Sequence, residues 1–216
     1  MKIVDLSLQN TILNSFMAEL RDVNIQKDSM RFRRNIERIG VIMAYEISRE
    51  LDYVARTVVT PLGEAQQNVP ADNVVLATIL RAGLPLHGGF HNIFDKAENA
   101  FVSAYRKYTD ETNFDVHVEY LASPRLDGKT LLLVDPMLAT GCSAELSFRA
   151  LCTKGVPGKV VLASVIASRQ AVEYVEEHFP ADTILYCAAI DPELKSHYYI
   201  VPGLGDAGDL CFGEKE

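Results

Sequence analysis

From Asp28 to about Ala55, the apolar residues Phe32, Ile36, Ile39, Met43, Ile47 and Leu51 recur every three or four positions. That spacing puts them on one face and predicts a long amphipathic helix. Asp28 or Ser29 stands where a capping side chain is expected, and a weaker helical pattern covers Asn10 to Leu20. Beyond the long helix the period shortens. Val54–Thr60 reads as a strand closed by Pro61 and Gly63, and Val74–Leu80 as a second. Arg81-Ala82-Gly83 and a helical stretch from Leu84 to about Phe94 follow. Phe101–Tyr108 and Phe114–Leu121 are β-like, and the polar link 109–113 between them predicts a hairpin or a flap. Thr130–Val134 is a continuous apolar run of the kind buried on both faces. A helix from about Ser143 to Lys154, a strand over Lys159–Ala167, a helix over Gln170–His178 and a last strand over Thr183–Ala189 complete the pattern.

Strand–helix alternation with short links predicts a parallel, doubly wound α/β sheet. Ligands of such sheets bind beyond the carboxyl ends of the strands. Three places meet that condition: Arg81-Ala82-Gly83, Asp135–Ser143, and the loop after Ala189. The chain has 216 residues, 48% of them hydrophobic and 23% charged, which suits one domain with modest additions. No repeat or low-complexity segment interrupts it. Counting 21 basic against 29 acidic residues gives a net charge of −8, which argues against nucleic acid and anionic lipid as partners. Any phosphate must therefore be held locally. The N-terminal apolar run breaks at Asp5 and carries no signal-peptide core, and no stretch has the ~20 apolar residues of a membrane span. Cys142, Cys152, Cys187 and Cys211 form no C-x-x-C pair and read as free thiols. A cytoplasmic location is expected.

The stretch Asp135-Pro136-Met137-Leu138-Ala139-Thr140-Gly141-Cys142-Ser143 carries the most chemistry. A buried strand delivers Asp135 to the sheet edge, and small residues lead into a helix N-terminus. There, backbone N–H groups and the helix dipole favour an anion, and Thr140 and Ser143 add hydroxyls. A structural turn with a capping hydroxyl explains the same residues. The stretch resembles the loop that binds phosphoribosyl diphosphate (PRPP) in phosphoribosyltransferases, in the form found in uracil phosphoribosyltransferases. Pro136 stands where most of that superfamily has a second acidic residue. Cys142 stands where the family pattern has glycine, which adds a Cβ. Read alone, a cysteine at a helix N-terminus is a candidate nucleophile. No histidine lies near it in sequence, and a tolerated small side chain is the simpler reading.

The C-terminal segment contains Gly203-x-Gly205-x-x-Gly208, a formal dinucleotide fingerprint. The residues after Gly208 are too few for the helix and strand that motif needs. A base with carbonyl, N–H and carbonyl along one edge complements exposed backbone groups, which a glycine-rich loop fixed by Pro202 supplies. The run Tyr199-Ile200-Val201-Pro202-Gly203-Leu204-Gly205-Asp206 closely resembles the uracil-binding loop of the same family. Leu80-Arg81-Ala82-Gly83-Leu84 and Arg106 match that family's two PRPP-contacting arginine elements, although Lys107-Tyr108-Thr109-Asp110 departs from the usual run after the second. The resemblance extends to Ala44-Tyr45-Glu46 and the Thr60-Pro61-Leu62-Gly63 turn, and covers nearly the whole chain.

The resemblance implies a type I phosphoribosyltransferase-like parallel sheet flanked by helices, with a β-hairpin flap and a C-terminal base-binding hood. One domain would span 1–216, with a helical segment over about 1–55, the flap over about 101–122 and the base loop over about 191–209. The implied activity is transfer of the 5-phosphoribosyl group from PRPP to N1 of uracil, giving UMP and diphosphate. Asp135, Arg106 and Asp206 would be the catalytic residues. PRPP would be held by Arg81, Arg106, Asp206 and the loop from Asp135 to Ser143; uracil by Ile200, Gly205, Asp206 and Ala207. Mg²⁺ would bind mainly through PRPP, with no protein ligand named. A homodimer or homotetramer, and GTP as an effector in some relatives, are further implications. An inactive pyrimidine-sensing regulator on the same fold is the alternative from another class, and transfer to a different base is a third reading. His87 and His91 sit four apart without the glutamate of a zinc motif, which favours a packed or surface pair. Asp110 and Glu111 read as a solvated acidic pair.

Overall fold

The computed structural model describes residues 1–71, 73–108, 114–195 and 198–214, with the side chains of 104–118 outside the description. In chain order the first half comprises β1 (Lys2–Asp5), α1 (Leu13–Arg21), α2 (Ser29–Ile47), β2 (Tyr53–Thr60), β3 (Gly63–Pro70), β4 (Val74–Leu80) and α3 (Gly83–His91). Then come β5 (Glu98–Tyr108), β6 (Phe114–Ala122), β7 (Thr130–Val134), β8 (Met137–Leu138), α4 (Cys142–Cys152) and β9 (Lys159–Ser168). The chain closes with α5 (Arg169–His178), β10 (Ile184–Asp191), β11 (Glu193–Leu194), β12 (Ile200–Val201) and α6 (Ala207–Phe212).

The main sheet runs β1-β10-β9-β7-β4-β5-β6, with β8 also beside β9. All pairings are parallel except that of β6, which returns antiparallel along β5. The unbroken apolar runs follow from burial on both faces, because alternate side chains point to opposite sides. On β7, Leu131 and Leu133 join a core roofed by α4 and α5, while Leu132 and Val134 join one roofed by α1, α2 and α3. Strand β4 divides the same way, Val75, Ala77 and Ile79 against Val74 and Leu76.

Asp28 caps α2 by accepting the Arg31 N–H at 3.0 Å. The apolar face reaches inward through Phe32, Ile36, Ile39, Met43 and Ile47. The helix stops at Ile47 rather than running to Ala55. Residues Ser48–Glu50 tighten into a 3₁₀ turn, and Leu51 enters the core from extended backbone (φ −79°, ψ 155°). Its three-to-four spacing is therefore real in burial but not in backbone. Five strands beyond the sequence reading appear. Strand β1 pairs with β10, and β3 pairs antiparallel with β2 in an exposed ribbon whose turn is Pro61-Leu62. The other three are the short β8 beside β9 and the antiparallel pair β11–β12. The polar run Glu64–Asn68 carries no strand period, so β3 gives no sequence signal. The link 109–113 lies outside the described residues. Among the described residues, no helix is long and apolar enough to cross a membrane.

Strands β4 and β7 are neighbours at the sheet centre. Their carboxyl ends deliver Arg81 and Asp135 side by side.

Candidate active site

All five residues of β7 are buried. Its ladder continues one step further, the Asp135 N–H donating to the Ala163 carbonyl at 3.1 Å. The Asp135 carboxylate then accepts the Met137 N–H at 3.2 Å, which turns the chain. Strand β8 reattaches to β9, and Ser168 pins the loop by donating its hydroxyl to the Ala139 carbonyl at 2.6 Å. Gly141 precedes α4 with φ +84°, a left-handed conformation that only glycine adopts at low cost. Asp135, Met137, Leu138, Ala139, Thr140, Gly141, Ser143 and Ala144 line a narrow cavity at this point. The N–H groups opening a helix make that cavity suited to an anion.

Cys142 is already helical as the first residue of α4, so its Cβ costs nothing in backbone strain. It does not line the cavity. It acts instead on the Tyr174 phenol of α5, more weakly than Glu145 does. The Tyr174 hydroxyl donates to Glu145 at 2.5 Å, and Arg149 pairs with the other oxygen of that carboxylate at 2.5 Å. Burial, and then the Glu145 carboxylate, push the Tyr174 phenol well above its ordinary range. The tyrosine therefore stays protonated and keeps donating.

A second cleft of about 170 Å³ adjoins the first. Ile79, Leu80, Arg81 and Ala82 form one wall, Asp135, Pro136 and Met137 the floor, and Asp206, Ala207 and Gly208 the other wall. Asp135 and Met137 border both cavities. The Arg81 guanidinium donates to Asp209 at 2.9 Å, and the Gly213 carbonyl lies at 3.5 Å. Asp206 caps α6 by accepting the Asp209 N–H at 3.0 Å. The Ala207 N–H donates to the Met137 thioether at 3.4 Å, joining the C-terminal loop to the phosphate-type loop.

Of the residues expected from sequence, Arg81, Asp135, Pro136, Met137, Asp206 and Ala207 meet around this cleft. Ile200 is buried in the core, and neither it nor the exposed Gly205 lines the cleft. Arg106 lies on β5, and its side chain is outside the described residues, as are Asp110 and Glu111. His87 and His91 stack with centroids 6.0 Å apart, His87 also against Phe101. No group of three metal-binding side chains occurs among the described residues. The four cysteines are free.

Sequence reading did not single out what braces the C-terminal loop. Arg21, at the end of α1, makes a two-pronged pair with Asp191 at the end of β10, both contacts 2.8 Å. Asp191 also accepts the Gly203 N–H at 2.8 Å, while Arg21 donates to the Gly203 carbonyl at 3.0 Å. Gln26 donates to the Leu20 carbonyl at 2.8 Å and to the Leu204 carbonyl at 3.3 Å. A separation of 170 residues hides the pair from any local pattern.

A family model described as uracil phosphoribosyltransferase matches residues 7–214. A protein named uracil phosphoribosyltransferase in Porphyromonas gingivalis is 60% identical over 215 residues, 100% of both chains. One of the same name in Aeropyrum pernix is 42% identical over 183 residues, 84% of each chain. A solved protein from Aquifex aeolicus superposes with a TM-score of 0.87 at 28% identity, covering 98% of both chains. A hypoxanthine phosphoribosyltransferase structure from Staphylococcus aureus reaches 0.51 at 12% identity, covering 86% of this chain and 84% of that one, a likeness of fold alone.

Proposed function

The chain belongs to the uracil phosphoribosyltransferase family, and on that premise we propose that it transfers the 5-phosphoribosyl group from PRPP to N1 of uracil, releasing diphosphate and forming UMP. The observation that carries this reading is the shared cleft. One wall is the C-terminal loop resembling a uracil site, the other is Arg81, and the floor is the loop resembling a PRPP site.

In the reaction the C1–O bond to diphosphate breaks as the C1–N1 bond to uracil forms. Positive charge grows at C1 and negative charge on the leaving group, so fixed dipoles and cations aimed at those atoms lower the barrier. In this reading the N–H groups and hydroxyls from Ala139 to Ser143 hold the 5-phosphate, and Asp135 takes the ribose hydroxyls. By family resemblance, Arg81 and Arg106 are assigned to the diphosphate. Backbone groups around Asp206 and Ala207 hold uracil, with Asp206 between base and PRPP. Positioning two reactants in one cleft supplies much of the acceleration, without a covalent intermediate on the enzyme. The Ala207 N–H exchanges its contact with the Met137 sulfur, a weak acceptor, for a better oxygen acceptor on the base.

The donor set at the cleft, the carboxylates Asp135 and Asp206 beside Arg81, suits Mg²⁺ that keeps most of its ligands from water and substrate oxygens. Bound there with PRPP, it would neutralise charge on the diphosphate. The exposed ribbon β2–β3 supports assembly as a homodimer or homotetramer. A two-stranded ribbon is marginal alone in water, and this one presents Val54, Val58, Val59 and Leu62 to solvent. The reading also includes GTP as an effector, on family resemblance, and a cytoplasmic location, on composition.

The test is formation of UMP from uracil and PRPP with Mg²⁺, with cytosine, hypoxanthine and orotate run alongside and GTP added in parallel. Turnover with uracil alone supports the reading. A folded protein that binds UMP yet turns over no base would overturn it in favour of a sensor.

A further inference from the structure

We infer that Arg21 and Asp191 are positioning residues for the nucleobase, acting through Gly203. The inference rests on the proposed reading that the backbone around Asp206 and Ala207 holds uracil. Asp191 is 5% exposed and stands at the carboxyl end of β10. Its two oxygens receive both prongs of the Arg21 guanidinium, and one also receives the Gly203 N–H. Arg21 in turn donates to the carbonyl of the same glycine. A single ion pair therefore engages both polar backbone groups of one residue and closes a ring around it.

That residue has no conformational freedom to spare. Gly203 has φ +63°, and a Cβ there would lie 2.0 Å from the Ile200 carbonyl oxygen. Both of its backbone groups are directed away from the cleft and satisfied, as buried groups must be. The Leu204 carbonyl is held the same way by Gln26. The backbone beyond it leads through Gly205 to Asp206 and Ala207, which line the cleft. The clamp fixes where those groups point.

A brace serving stability alone has no need of this chemistry. A buried pair gives back in desolvation much of what it gains, and apolar packing does as well. A guanidinium fork with a carboxylate does what apolar packing cannot, which is to fix the register of an N–H and a C=O together. Misplacing a binding group by about 1 Å costs up to ~100-fold in function. The loss should fall chiefly on the base, since the clamp contacts neither the Asp135–Ser143 loop nor Arg81 and reaches the PRPP side only through Asp206 and the weak contact of Ala207 with Met137.

The experiment is steady-state kinetics on the full chain with Arg21→Lys and Asp191→Asn, varying uracil and PRPP separately and following thermal melting. We expect KM for uracil to rise ~10- to 100-fold while KM for PRPP stays within about twofold. The double variant should be little worse than either single one, because both remove the same ring. Arg21→Lys keeps the charge and removes only the fork, so it carries the test even if Asp191→Asn does not fold. The inference is overturned if KM for uracil does not move, if both KM values rise together, or if only kcat and melting temperature fall. Absence of uracil-dependent turnover in the parent protein would instead sink the uracil reading, a result separable from all of these.

Discussion

Replacing Gly141 with alanine tests the phosphate-loop geometry directly. The residue sits at φ +84°, where an L-residue costs about 1–2 kcal/mol. The new Cβ would lie 2.8 Å from Cδ1 of Tyr174 and 3.3 Å from Cγ2 of Val175. The tyrosine cannot retreat freely, since its hydroxyl is held by Glu145 and its ring stacks on His178 at 3.9 Å. Overpacking of this kind adds about 1–3 kcal/mol, so the total should fall near 2–5 kcal/mol. A chain of this size loses about 2–4 °C in Tm per kcal/mol, which places Gly141→Ala about 4–20 °C below the parent. Relief of the clash moves the N–H groups opening α4, so KM for PRPP should rise at least ~10-fold. Cys142→Ala is the control. That residue is already helical, and its change should stay within about 1 kcal/mol. Melting curves with PRPP titrations decide the matter. Gly141→Ala melting within about 2 °C of the parent, with KM for PRPP unchanged, would refute the left-handed cradle.

Arg81→Lys keeps the charge but not the fork, and turnover should fall ~100-fold or more. The Arg81–Asp209 pair is partly exposed, side chains 41% and 29%, so Tm should move by less than about 4 °C. A large Tm loss would show the arginine to be structural. Burial holds His87 below its ordinary pKa of 6.5, Asn99 and His91 acting more weakly and in opposite senses. The unfolded chain therefore takes up the proton first. Stability from this site is complete above about pH 6.5 and is lost as pH falls toward the folded value. His87→Leu should flatten the fall of Tm between pH 7 and 5, and an unchanged slope would exclude His87 as its source. Val59→Asp with Leu62→Asp on the β2–β3 ribbon should lower the sedimenting mass, and an unchanged mass would remove the ribbon from the interface.

The sequence by itself determined the central strands, because burial on both faces leaves an unbroken apolar signature. Val74–Leu80 and Thr130–Val134 needed no tertiary information. It also located the cleft-lining Arg81, Asp135 and Asp206, since ligands gather at carboxyl ends of parallel strands and the motifs there are local. Where partners are distant, the local pattern was silent or misleading. Leu51 kept the helical period after the helix had ended, because burial and backbone conformation are separate properties. Strand β3 is exposed along nearly its whole length and is defined only by its pairing with β2. Cys142 departs from a family pattern, yet only the structure shows that Gly141 alone carries the special backbone. Arg21, Asp191 and Gly203 meet across 170 and 12 positions of chain. A contact made by folding leaves no period and no spacing in the sequence, so the cleft's lining could be read from residues while what holds it in place could not.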